Sequence, residues 1–206
     1  MDEEIIEMTK QARQKKRMEN IENQLLHTDI VKAIQEGQLL IEDEEIEFIE
    51  IGLYENKIRM RIPATFEVME PDLMDLKYPS SRRPEYIYTS ESTSINVTMK
   101  IMEQQIKEEE LEEFTKTMMN MLSKLQPSAD MLDIGMKEVD GVQMSYFDFI
   151  TPALDDKMYN VMFLFIVGEN VTMGSVNCLK KEMNIWKPIA YGMMESVSIE
   201  NKEGVV

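Results

Sequence analysis

Met158-Tyr159-Asn160-Val161-Met162-Phe163-Leu164-Phe165-Ile166-Val167 is nearly continuous in apolar residues. A strand that alternates inside and outside would carry polar residues at every second position. This one does not, so it belongs in the middle of a sheet with both faces covered. Its neighbours extend it into a meander. Asp140-Gly141 is a two-residue hairpin signal between strands at 131–139 and 142–151. That turn opposes Ile134 to Phe147 and Leu132 to Phe149, which puts four apolar side chains on one face. Downstream, a turn at Glu169-Asn170 leads into a strand at 171–178, with Cys178 opposite Val161 and Val176 opposite Phe163.

Upstream, residues 3–36 read as helix. Ile5, Met8 and Ala12, then Met18, Ile21 and Leu25, recur at spacings of three and four. The stripe breaks near residue 14. A second short helix at 29–36 is expected, with Thr28 as its cap, Leu26 as a staple and Gly37 as its stop. Glu42, Asp43, Glu44, Glu45, Glu47 and Glu50 form an acidic run. Ile46, Phe48 and Ile49 interrupt it, which favours a solvated strand face over a calcium loop of fixed ligand spacing. Tyr54-Glu55-Asn56 then turns the chain into a strand at 57–62. A helical turn at 72–76 and strands at 86–89 and 95–101 follow. The helix at 108–125 is amphipathic, with Leu111, Phe114, Met118, Leu122 and Leu125 along one face, and Pro127 ends it. A last helix spans 185–195, with Pro188 tolerated only in its first turn, before a short strand at 196–199.

The chain has 206 residues, 43% of them apolar. This suits an α+β domain at 38–206, an antiparallel meander covered by helices on both faces, with an N-terminal helical arm at 1–37. A core of that size buries roughly 70% of the surface exposed by the unfolded chain. Cys178 stands alone, so no intramolecular disulfide or thiolate cluster is expected. The acidic start lacks the basic end and the apolar run of roughly 7–15 residues of a signal peptide. No segment approaches the ~20 apolar residues of a membrane helix. A cytoplasmic location is therefore expected, with the sequons at Asn96 and Asn170 unused.

The formal net charge is −17, from 39 acidic and 22 basic residues. Such a field opposes binding to nucleic acid or anionic membranes and speeds encounter with basic partners. The charge is uneven: residues 1–36 hold eight acids and six bases.

Catalytic chemistry finds little support. The single His27 lies in the arm, far along the chain from Cys178, whose apolar surroundings make it a small hydrophobe with a high pKa. The eight scattered glycines build neither a dinucleotide fingerprint nor a phosphate loop. Carboxylate pairs are too plentiful to select a site. No enzyme activity, metal or cofactor is expected.

Three features remain as contact surfaces. Lys10, Arg13, Lys15, Lys16 and Arg17 make a basic patch on the arm, which docks either on its own domain or on a partner. The loop Tyr78-Pro79-Ser80-Ser81-Arg82-Arg83-Pro84 is a positive island whose Tyr78, Arg82 and Arg83 suit an interface; a solvated loop is the plainer reading. The third is the set of 20 methionines, whose flexible thioethers suit binding grooves; most sit at core spacing and, like Trp186, are read as core.

The order of elements resembles the PsbP-like α/β/α sandwich superfamily. This includes the photosystem II extrinsic subunit, a Ran-binding nuclear import factor and many bacterial domains. The residues that carry the resemblance are a strand ending Arg61-Ile62-Pro63-Ala64-Thr65-Phe66, the hairpin to Ile101, the helix at 108–125, and the meander from Leu132 to Cys178 with its terminal helix. The resemblance implies a non-catalytic binding or assembly module, with no functional residue carried over. The expected partner is a protein, and a homodimer remains open. The alternative is an acidic, dimeric secretion-chaperone-like protein that holds unfolded clients, although this chain is longer than usual for those.

Overall fold

A computed structural model describes residues 2–153 and 156–200; the side chains of residues 2–5 and of His27 lie outside the described residues. Helices α1 (Asp2–His27) and α2 (Ile30–Glu36) precede strands β1 (Gln38–Ile41), β2 (Glu44–Leu53), β3 (Ile58–Pro63) and β4 (Glu67–Val68). Helix α3 (Pro71–Lys77) leads to β5 (Tyr86–Thr89) and β6 (Asn96–Gln105), and then to α4 (Leu111–Leu125). The meander is β7 (Asp130–Val139), β8 (Val142–Pro152), β9 (Lys157–Val167) and β10 (Asn170–Leu179). Helix α5 (Met183–Met194) and β11 (Ser198–Ile199) close the chain.

The strands form two antiparallel sheets: a seven-stranded one in the order β4-β5-β6-β10-β9-β8-β7, and a four-stranded one in the order β1-β2-β3-β11. Strand β9 is interior, and both its faces are covered. Tyr159, Val161, Phe163 and Phe165 enter the main core with α2, α5 and the small sheet. On the opposite face Leu164, flanked by Met162 and Ile166, packs with Phe147, Phe149 and Leu111 beneath α4. The chain is thus an α+β layered fold. The small second sheet on one face was not foreseen, because β11 reaches β3 across most of the chain.

Local chemistry corrects several expectations. Asp29, not Thr28, caps α2, accepting from the Lys32 amide at 3.1 Å. Thr28 instead donates to the Gln24 carbonyl at 2.9 Å. Leu26 is no staple: it is 79% exposed. Gly37 ends α2 with φ 92°, a left-handed geometry that glycine adopts freely. Glu42 and Asp43 form the β1–β2 turn, so only the later part of the acidic run is strand. Leu125 lies exposed past the packed face of α4.

In the β7–β8 hairpin Ile134 does oppose Phe147, but Phe149 faces Met131 and not Leu132, because a bulge between Met131 and Asp133 shifts the register. The β9–β10 turn is Gly168-Glu169, one residue early, so Cys178 pairs with Tyr159 and Val176 with Val161. The slip amounts to two positions along the partner strand, which leaves every side chain on its expected face. Cys178 is accordingly buried, and that burial pushes its thiol pKa up to about 12. Helix α5 begins at Met183, which places Pro188 in its second turn. There the ring leaves the Asn184 carbonyl without its helical donor. Trp186 packs against the main core, its ring 5.9 Å from that of Phe66.

Candidate partner-binding surfaces

The second half of α1 is anchored to the body of the protein. Ile21 and Leu25 belong to the main core, beside Ile30 and Ile34 of α2. The Gln24 amide closes the open edge of β1: it donates to the Leu40 carbonyl at 2.8 Å and accepts from the Glu42 amide at 2.7 Å. Occupying edge groups in this way blunts the strand as a template for pairing with another chain. Asn184 of α5 donates to the Glu22 carboxylate at 2.5 Å.

The first half of α1 is different. Residues 6–17 are all exposed, with Ile6 at 66% and Met8 at 70%. Among the expected contact residues, Arg17 is held by the body, its guanidinium 2.6 Å from Glu42 and 3.2 Å from Glu44. Lys10, Arg13, Lys15 and Lys16 are exposed, and among the described residues they form no ion pair with the body.

The loop after α3 is tied down internally. Arg83 pairs with Asp75 of α3, and Lys100 donates to the Arg82 carbonyl at 3.0 Å. The Arg82 side chain is exposed, and Tyr78 is half-buried. Burial pushes the Tyr78 phenol upward, partly offset by its hydrogen bond with Asn177. No hydrogen bond or ion pair joins this loop to the arm among the described residues, so the two candidate groups remain separate surfaces.

A third cluster escaped sequence reasoning. Asp148 of β8 has no exposed surface. Its carboxylate lies 2.6 Å from the Lys187 ammonium of α5 and accepts from the Tyr159 hydroxyl at 2.8 Å and the Asp133 amide at 2.8 Å. The Asp133 amide is the one freed by the β7 bulge, so the carboxylate supplies the acceptor that the ladder lacks there. Lys187 also stands 5.8 Å and 5.7 Å from the ring centres of Tyr159 and Tyr191. Burial first, and then the Asp148 charge, hold both phenols far above their ordinary range. The Tyr191 hydroxyl is buried beside the Asp148 carboxylate. Above this cluster, between α1 and α5, opens a cavity of about 510 Å³ walled by Leu25, Leu26, Met183, Pro188 and Tyr191. The sequence signal was a charge set between two aromatics, Phe147-Asp148-Phe149.

The chemistry of the cluster is that of a hydrogen-bonded ion pair whose carboxylate is buried and whose lysine reaches solvent. Every Asp148 contact joins two structural elements, and none presents a nucleophile with its base. No group of three or more metal-ligating side chains converges among the described residues.

The fold is similar to that of known structures. A cyanobacterial PsbP from Synechocystis superposes with a TM-score of 0.55 at 7% identity, over 74% of this chain and 92% of that one. The fold is PsbP-like. The Ran-binding protein Mog1p of Saccharomyces cerevisiae shares the PsbP-like fold with a TM-score of 0.51 at 12% identity, covering 75% of this chain and 96% of Mog1p. LpqN of Mycobacterium tuberculosis, involved in cell envelope biogenesis, gives 0.51 at 12% identity, over 76% and 92%. A scan against protein-family models finds no match. A search of curated proteins finds none either. At such identities the PsbP-like likeness speaks for the fold alone. No helix among the described residues is long and apolar enough to cross a membrane.

Proposed function

We propose that this protein is a non-catalytic interaction module. Its domain at 38–206 carries the segment 1–37, whose second half packs into the same core and whose exposed first half is the contact arm for a protein partner. Lys10, Arg13, Lys15 and Lys16 supply the basic contacts, and Tyr78, Arg82 and Arg83 a second, smaller surface. The observation that carries this reading is the first half of α1. It runs as helix with residues 6–17 all exposed, Ile6 and Met8 among them. Helix stability in water comes chiefly from packing an apolar face, so a stretch of this kind gains its main support from a partner. The similar fold of Mog1p, described as Ran-binding, is consistent with a protein as the ligand. The cytoplasm, where a free thiol stays reduced, is the compartment we assign.

The test is affinity purification from the native host, comparing the full chain with a form that starts at Met18. That form keeps Ile21 and Leu25, so it retains the core. Loss of a specific co-purifying protein, an untagged copy of this chain included, with residues 1–17 supports the reading. The same proteins with both forms, or none with either, overturns it.

A further inference from the structure

This inference deepens the reading above and rests on it. At about 100° per residue, Met8, Ala12, Lys15, Glu19, Glu22 and Leu26 fall in one stripe along α1, at alternating spacings of four and three. Ile21 and Leu25, which are buried, lie about 100–140° round the helix from the centre of the stripe, and Glu22, at the stripe's edge, is half-buried and accepts from Asn184 of α5. Met8 and Leu26 are 70% and 79% exposed, and Ala12, Lys15 and Glu19 are exposed as well. The spacing is that of a helix-pairing seam.

The order of residues in the stripe specifies its complement. When the helix is turned end for end and laid on itself, Met8 meets Leu26, Ala12 meets Glu22, and Lys15 meets Glu19, each of them twice. A two-fold contact demands such self-complementarity. Parallel pairing would set Lys15 on Lys15 and Glu19 on Glu19. Among the described residues neither Lys15 nor Glu19 is engaged in an ion pair within the chain. The cavity of about 510 Å³ opens beside Leu26; Met183, Pro188 and Tyr191 give it an apolar wall, and Glu22, Asp133, Asn184 and Lys187 a polar one. That is the end of the stripe where Met8 of an antiparallel helix arrives.

We propose that the partner of the arm is a second copy of this chain, with the two α1 helices pairing antiparallel through this stripe. Met8 of each copy seats beside Leu26 of the other, and Lys15 pairs with Glu19 across the two-fold axis. Each exposed half-helix then rests on the anchored half of the other.

Analytical ultracentrifugation of the full chain tests this. The expected species is twice the 24.1 kDa chain mass. Lys15→Glu and Glu19→Lys, each alone, place like charges opposite each other twice. Each should weaken association by roughly tenfold, about 1.4 kcal/mol. The two reversals together regenerate both pairs and restore the dimer. Because all these positions are exposed, folding should be unaffected. As an independent reading, Met8→Cys with Leu26→Cys should give a disulfide between copies under mild oxidation, while Cys178 stays buried. A monomer at every concentration overturns the proposal. So does a dimer indifferent to the single reversals, or one not restored by the double. A monomer whose arm still captures a different protein overturns self-pairing alone and leaves the interaction reading standing.

Discussion

The Lys187 ammonium lies 2.6 Å from the carboxylate of Asp148, and only the lysine touches solvent: the two side chains are 34% and 0% exposed. The pair ties α5 to β8, and through the Asp133 amide to the edge strand β7. Removing either partner has unequal consequences. Lys187→Met strands a buried carboxylate with two neutral donors, a change that costs about 3–5 kcal/mol. Asp148→Asn leaves a lysine that can swing its head into water, and should cost about 1–3 kcal/mol. Urea unfolding should therefore rank Lys187→Met as the more damaging change. The opposite ranking would show that the ammonium, not the carboxylate, depends on the pair.

Burial, helped by the Glu182 charge, raises the Cys178 thiol from an ordinary 9.0 to about 12. Between those values the unfolded chain has lost this proton while the folded chain keeps it. Stability must then fall as pH rises through that window. Tyr159 and Tyr191, held still higher, add to the fall above their ordinary 10.0. Cys178→Ala should flatten the decline between pH 9 and 12 without abolishing it. An unchanged slope would mean that the thiol ionises in the folded chain.

Much of this architecture is legible in residue pattern. The stretch at 158–167 is apolar on both faces, and only an interior strand meets that demand. The Asp140-Gly141 turn is equally local: both residues take positive φ, 50° and 77°, as such hairpins need. What failed depends on distant partners. Leu132 was misplaced because the bulge at Met131–Asp133 is stabilised by Asp148 from the neighbouring strand. The turn at Gly168 was read one residue late, yet Cys178 kept its buried face because strand faces repeat every two residues. Of the candidate surfaces, the basic patch was visible as composition, whereas the Asp148–Lys187 pair required α5 to be laid over β8.

The two halves of α1 should contribute very differently to stability. A chain that starts at Met18 keeps Ile21, Leu25, Ile30 and Ile34 in the core, and should melt close to the full chain. A chain that starts at Gln38 loses all four. At about 1.5–3 kcal/mol for each buried aliphatic, that removes most of the ~5–15 kcal/mol available to a domain. Thermal denaturation should show a cooperative transition for the first and none for the second. A folded chain starting at Gln38 would show that α1 and α2 are dispensable to the core.

Gln24 is the only described side chain that hydrogen-bonds the Leu40 carbonyl and the Glu42 amide together. Gln24→Ala should cost about 1 kcal/mol, because both groups regain water at the edge. Hydrogen exchange at the Glu42 amide should quicken, while amides in β9 stay protected. No change at Glu42 would mean that the edge is covered by other means.

The central claim is that residues 6–17 are a contact surface and not a solvated appendage. Limited trypsin digestion reads it directly, since Lys10, Arg13, Lys15 and Lys16 are cleavage sites along that exposed helix, and the exposed Lys124 of α4, outside both proposed surfaces, serves as an internal control. Cleavage in the arm should be rapid in dilute purified protein. It should slow markedly, relative to Lys124, at high concentration or in native extract. Equal relative rates under all three conditions would contradict the claim.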